Sequence, residues 1–203
     1  MKEIYIVRHA ETDFNRQGIV QGSGVNSSLN KNGQLQAMKF YEKYKDVAFD
    51  YIYTSTLKRT HETVQPFINQ GITWRIRGEI REISWGVHEG KSATPESKIQ
   101  YQDLVENWKK GNLDAKIEGG ESAAEVITRL RKFISELKKT EFKRALVCTH
   151  GRTFRFLLSL LNNVDFSEME KYKVLNTSLY IFENEGDTFY SLLQNDLSHL
   201  KIT

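Results

Sequence analysis

The chain has 203 residues, 39% hydrophobic and 27% charged, with a net charge of +3 and one cysteine, Cys148. That composition suits a soluble globular chain of one domain, or one domain carrying a sizeable insertion, and the interspersed charges argue against nucleic acid as a partner. A lone cysteine rules out a disulfide framework, no apolar stretch is long enough for a membrane span or a leader, and a cytoplasmic protein of unassigned oligomeric state is expected.

"IYIV" (4–7) is a short, continuously apolar run of the kind found in strands covered on both faces. It ends in an unusual way, with Arg8 and His9, and Glu11, Thr12 and Asn15 close behind. A helix is expected over 30–45, with Asn30 as its N-cap and Leu35, Met38 and Tyr41 on one face. "DYIYTS" (50–55) predicts a strand, 57–70 a second helix, and "TWRIR" (73–77) another strand. Residues 84–120 break this rhythm with several glycines, Pro95 and a polar, helix-like stretch at 96–110. They read as an insertion crossing the sheet's carboxyl edge, where α/β proteins bind ligands, and long connections of this kind are often functional lids. The plain alternative is a surface excursion.

Residues 121–139 form the clearest amphipathic helix, with Val126, Ile127, Leu130, Phe133, Ile134 and Leu137 recurring at three and four. "ALVC" (145–148) is a second buried strand, and Cys148 within it reads as a small buried hydrophobe. "RTFRFLLSLLN" (152–162) is an almost wholly apolar helix, and "NTSLYIFE" (176–183) and "TFYSLLQN" (188–195) flank a "NEGD" hairpin turn. Strands alternating with helices predict an α/β fold, a three-layer α/β/α sandwich around a mostly parallel sheet.

Two of the five histidines, His9 and His150, close the apolar runs "IYIVRH" and "ALVCTH". On neighbouring parallel strands both imidazoles would reach one edge of the sheet. Metal binding is the first rival, through His9 and Glu11, but Arg8 would set a fixed cation beside any bound cation, and arginine beside imidazole favours an anion. Arg59 stands just inside the helix after "YTST", where free N–H groups attract phosphate; taken alone it reads as a surface arginine. Glu82, in "EIREISWGVHEG", is either a solvated charge or a general acid.

Together these stretches resemble the histidine phosphatase superfamily, the phosphoglycerate mutase-like fold. "VRHAETDFN" resembles the signature R-H-[GA]-E-T-x-x-N, "SLNKNGQLQA" a helix start of the form L-[TS]-x-x-G-x-x-Q-A, and "YTSTLKRTHET" the stretch y-[ST]-S-x-L-x-R-[AT]-x-x-T. "IREISWGVHEG" resembles L-R-E-[IM]-x-[FWY]-G-x-W-E-G, "GGES" precedes the long helix, and "VCTHGRTFR" resembles v-x-H-G-x-x-x-R. The six occur in order across nearly the whole chain. The resemblance implies His9 as a nucleophile that becomes phosphohistidine and Glu82 as proton donor. It implies Arg8, Asn15, Arg59 and His150 around the phosphoryl group, His150 as an imidazolium, and Gly22 and Gly151 bringing backbone close to the pocket. It implies no metal and no cofactor, and a small phosphate ester as the partner.

Departures fall at the rim. His88 stands where the family has tryptophan, either filling space or tuning pH dependence. Arg152 follows Gly151 where a small residue is usual, either as a helix-start surface charge or as a binder of acidic substrate. Gln21 is placed at the same rim, and Arg155 matches a structural arginine. In the resembled family the glycolytic mutase branch carries a longer, proline-rich insertion after the "EG" motif, so by that resemblance the short 91–118 segment, with Pro95 alone, implies a phosphomonoesterase. The alternatives are a cofactor-dependent phosphoglycerate mutase and a non-catalytic module that binds a phosphorylated ligand.

Overall fold

The computed structural model describes residues 1–201. In chain order the elements are β1 (Lys2–Arg8), α1 (Asp13–Gln17), α2 (Lys31–Tyr44), β2 (Tyr51–Thr54), α3 (Lys58–Ile68), β3 (Thr73–Ile76), α4 (Pro95–Lys109), α5 (Ala123–Lys139), β4 (Arg144–Thr149), α6 (Gly151–Asn162), β5 (Leu179–Glu185) and β6 (Thr188–Asp196). Short 3₁₀ turns occupy Gly78–Ile80, Gly86–His88, Phe166–Lys171 and Ser198–Lys201. No helix among the described residues is long and apolar enough to cross a membrane.

The six strands form one sheet in the order β3-β2-β4-β1-β5-β6. β3, β2, β4 and β1 run parallel, and β5 pairs antiparallel with β1 and with β6. Side chains alternate between the two faces, as the two-residue repeat of a strand requires. Ile4, Ile6, Ala145, Val147 and Tyr53 face one way, onto α5 and α6 through Leu130, Phe133, Phe154 and Leu157. Val7, Leu146, Cys148 and Ile52 face the other way, onto Phe40, Val64 and Phe67 of α2 and α3. The result is the expected three-layer sandwich, with Cys148 as a core atom rather than a reactive one.

Helix starts follow their caps. Asn30 Oδ1 accepts from Gly33 N at 2.8 Å, as its N-cap role requires. Ser122 and Glu125 close a reciprocal capping box at α5. The face expected for α2 holds only at Tyr41, which packs on Phe67: Leu35 and Met38 are about half exposed, and the buried positions are Gly33, Ala37, Phe40 and Tyr44. These four obey the helical period, but two are too small to register as hydrophobic. Gly33 has no side chain because a Cβ there would press onto the backbone carbonyl of Glu11.

Segment 84–120 is tied to the body at both ends. Leu104, Val105 and Trp108 of α4 are buried in the larger core, and the Trp108 indole N–H donates to Ala115 O. Gly90 N donates to Val20 O, and Val20 N to Lys91 O, which joins this segment to the loop after α1.

Candidate active site

The β1–β4 register sets Val7 opposite Cys148 and Arg8 opposite Thr149. The next residues, His9 and His150, therefore leave the carboxyl edge side by side, with ring centroids 5.2 Å apart. β2 lies on the other flank of β4 with Thr54 opposite Cys148, which delivers Ser55 to the same place. His9, Arg59, Glu82 and His150 are all at most 6% exposed.

His9 Nδ1 donates to the carbonyl of Ala10 at 2.7 Å. That bond selects the Nδ1–H tautomer and leaves Nε2 with its lone pair. Burial, then the nearby Arg59 and Arg8 charges, hold the imidazole well below its ordinary range, so the ring is neutral. Ala10 itself is pinned by Thr63, whose hydroxyl accepts its N–H at 2.9 Å.

His150 departs from expectation. Its Nδ1 accepts from Arg59 Nε at 3.2 Å, and its Nε2 pairs with Ser55 Oγ at 2.7 Å. A ring that accepts at Nδ1 carries its proton at Nε2 and is not an imidazolium. Burial and the Arg59 cation push the group well below its usual value. Positive charge here comes from the guanidinium groups.

Arg59 is fully buried at the start of α3, not the surface arginine it resembles when read alone. Besides His150 it donates to Val25 O at 2.6 Å and Gly22 O at 3.4 Å. Three of its five N–H donors thus shape the pocket wall and two remain. Arg8 Nη1 donates to Val174 O at 2.9 Å, while its buried Nε has no partner. Burial lowers both guanidinium groups to about 10, and both remain cations at neutral pH.

Glu82 lies across the first turn of α6. Its Oε1 accepts from Ile83 N at 3.0 Å and Thr153 N at 2.9 Å, and Oε2 from Arg152 N at 3.1 Å. Each carboxylate oxygen has about two acceptor sites, so Oε1 is filled and Oε2 keeps one open.

The remaining expected residues divide. Asn15 Oδ1 is used by Thr12 N and Oγ1 and by Asn176 Nδ2, while its own amide NH₂ is unengaged. Gly22 leaves room for the Glu89 carboxylate, which binds Gly24 N at 2.7 Å and Trp85 N at 2.8 Å and stitches two loops together. The Gly151 backbone lies against Arg8, where a Cβ would sit 3.4 Å from Arg8 Nε, an ordinary van der Waals contact. Gln21 and His88 do not join the His9 cluster; they line a cavity of about 400 Å³ beside it.

Arg152 is neither a surface charge nor a free binder of acidic substrate. It is 5% exposed, its guanidinium pairs with Glu170 and Tyr101 OH, and it stacks over the Tyr101 ring with Cζ 5.4 Å from the centroid. Arg155 is structural, donating to Tyr172 O at 3.1 Å. Among the described residues no three His, Cys, Asp or Glu side chains converge as a metal-ligand set.

Several contributors were not singled out from the sequence. Asn176 Nδ2 donates to His9 O at 2.9 Å, and Ser55 holds His150. Glu121 and Arg129 form a bidentate pair at 2.8 and 3.0 Å, and Arg129 also donates to Glu79 O, bracing the turn before Glu82. A usable signal was present for Asn176: "NTS" is a polar triplet joined to an apolar strand, like the end of β1.

Comparison with known proteins follows the same lines. The family profile described as "Histidine phosphatase superfamily (branch 1)" matches residues 4–197. "Putative phosphoserine phosphatase 2" of Hydrogenobacter thermophilus is 26% identical over 202 residues, covering 99% of this chain and 98% of that protein. "Probable phosphoglycerate mutase GpmB" of Salmonella typhi is 30% identical over 186 residues, covering 88% and 83%. The solved structure titled "Bacillus stearothermophilus YhfR" superposes with a TM-score of 0.85 at 25% identity, covering 98% and 100%. The chain belongs to the histidine phosphatase superfamily, branch 1.

Proposed function

We propose that the protein is a metal-independent phosphomonoesterase that hydrolyses a small phosphorylated metabolite through a phosphohistidine at His9. The observation that carries this reading is the His9 Nδ1–Ala10 O hydrogen bond, which leaves a neutral Nε2 nucleophile among two guanidinium groups. Phosphoryl transfer is chiefly positioning and charge stabilisation. The Nε2 lone pair attacks phosphorus, and the bond to the ester oxygen breaks. Arg8, the two remaining Arg59 donors and the Asn15 amide hold the nonbridging oxygens, while His150 fixes the Arg59 guanidinium that does so. Glu82, as the acid, gives its proton to the departing alkoxide. Water then attacks phosphorus, Glu82 takes its proton, and His9 is regenerated with release of phosphate. Removing one donor of this kind typically costs ~2.7–4 kcal/mol of barrier, about 10²–10³ in rate.

The relative named a phosphoserine phosphatase supports hydrolysis. The relatives named probable phosphoglycerate mutases favour a second reading, in which the phosphoryl group returns to the substrate. Phosphate release from p-nitrophenyl phosphate, absent in His9→Ala, together with an acid-labile phosphoenzyme trapped by rapid quench, is the expected result. Turnover surviving in His9→Ala overturns the nucleophile. Conversion of 3-phosphoglycerate to its 2-isomer without phosphate release selects the mutase.

A further inference from the structure

The cavity of about 400 Å³ beside His9 lies among Val20, Gln21, Trp85, His88, Tyr101 and Ile117, with its mouth at Ala93 to Lys98. Its wall is continuous with the catalytic cluster. Gln21 Nε2 donates to Thr12 Oγ1 at 2.8 Å, and the next residue, Gly22, gives its carbonyl to Arg59. Trp85 stands three residues after Glu82. A phosphate held at His9 would therefore direct its alcohol portion here.

The chemistry of the lining is selective. Trp85 and Tyr101 meet edge to face with centroids 5.5 Å apart, a geometry that offers ring surface to a third ring. The polar groups are mostly spent. Gln21 also accepts from Ser27 Oγ at 2.5 Å, and Tyr101 OH is engaged by Arg152. Gln102, also on the lining, is exposed, and His88 Nε2 is the buried exception, with no hydrogen-bond partner. Charge is equally one-sided. Carboxylate recognition wants a guanidinium fork, but the nearby Arg152 is committed to Glu170 and Tyr101. Lys98 is the one cation on the lining, and it sits at the exposed mouth. A buried carboxylate would meet no free cation there, which is costly.

We propose that this cavity is the subsite for the substrate's alcohol portion, and that it takes a flat aromatic or heteroaromatic ring system with one hydrogen-bonding edge toward His88 in preference to a small carboxylate-bearing alcohol. Its volume matches sites that enclose bodies of that size. The proposal rests on the phosphomonoesterase reading of His9.

Two measurements separate the proposal from that reading. Calorimetric binding of non-hydrolysable phosphonates to the wild-type protein reads the subsite alone: 2-naphthylmethylphosphonate should bind at least tenfold more tightly than the phosphonate analogue of phosphoserine, and equal or reversed affinities overturn the subsite. Hydrolysis of 2-naphthylmethyl phosphate against phosphoserine compares two alkyl leaving groups. The former should lead by at least tenfold in kcat/KM, and parity overturns the proposal. Failure of both esters to release phosphate while the naphthyl phosphonate still binds tightly overturns the phosphatase reading and upholds the subsite. Among quinolylmethylphosphonates, at least one isomer should gain severalfold over naphthyl in the wild type and lose that gain in His88→Leu. No gain by any isomer overturns the role of His88.

Discussion

A single hydrogen bond to a neighbouring backbone carbonyl fixes which nitrogen of His9 is bare, and the proposed attack requires that nitrogen. Burial, assisted by the Arg59 and Arg8 charges, then keeps the ring unprotonated. A base whose value is depressed stays neutral as pH falls through the ordinary imidazole range, so nucleophilicity should persist well below pH 6.5. Ring ¹⁵N NMR should show His9 Nε2 bare and Nδ1 protonated at pH 6; a charged ring at that pH would refute the arrangement. Glu82 is tested by leaving group. Glu82→Gln should slow an alkyl phosphate by about 10²-fold or more and p-nitrophenyl phosphate far less, since a good leaving group needs little proton donation. Equal slowing of both removes its role as acid. What the sequence conveyed at this scale was residue identity. What it withheld was commitment: Arg152, Arg59 and His150 each spend hydrogen-bonding capacity on protein partners, and that spending depends on side chains far away in the chain, such as Glu170 and Ser55.

At the scale of elements, strands and long helices were legible because their patterns are local. The runs at 4–7 and 145–148 became the paired strands β1 and β4, and the α5 stripe buried the expected Val126, Leu130, Phe133 and Leu137. The inner face of α2 was not legible, because Gly33 and Ala37 pack through their smallness. Tertiary context also reverses a local rule at Gly33. Replacing a helical glycine by alanine ordinarily stabilises by about 1 kcal/mol. Here the added Cβ meets the Glu11 carbonyl, so Gly33→Ala should instead destabilise, by about 1–3 kcal/mol. Urea denaturation reads the sign directly; a stabilised variant would show that α2 stands further from the loop after β1.

Across the whole molecule, the sheet edge that carries His9 is coupled to the last described turn through buried, neutral imidazoles. Thr177 N donates to Arg8 O, Asn176 holds His9 O, and Thr177 Oγ1 pairs with Nε2 of His199 at 2.9 Å. His199 is fully buried against Phe40 and Tyr44 and lies near Asp196 and Lys43. Burial lowers it to about 4, with Asp196 opposing and Lys43 assisting. Between pH 6.5 and 4 the unfolded chain therefore binds a proton at this position that the folded chain refuses, so stability falls on acidification through that window. His9 and His150, also depressed, act in the same direction. Asp196, held at about 2 largely by Ser198 and Tyr44 against the opposing effect of its own burial, loses its contribution only at lower pH, so the two effects separate. His199→Asn retains a donor for Thr177 but cannot titrate. Compared with this variant, the wild type should lose about 2 kcal/mol more between pH 6.5 and 4, after allowance for solvent screening. Parallel stability–pH curves for the two proteins would mean that the imidazole is already charged within the fold, and that the turn carrying it is open to water.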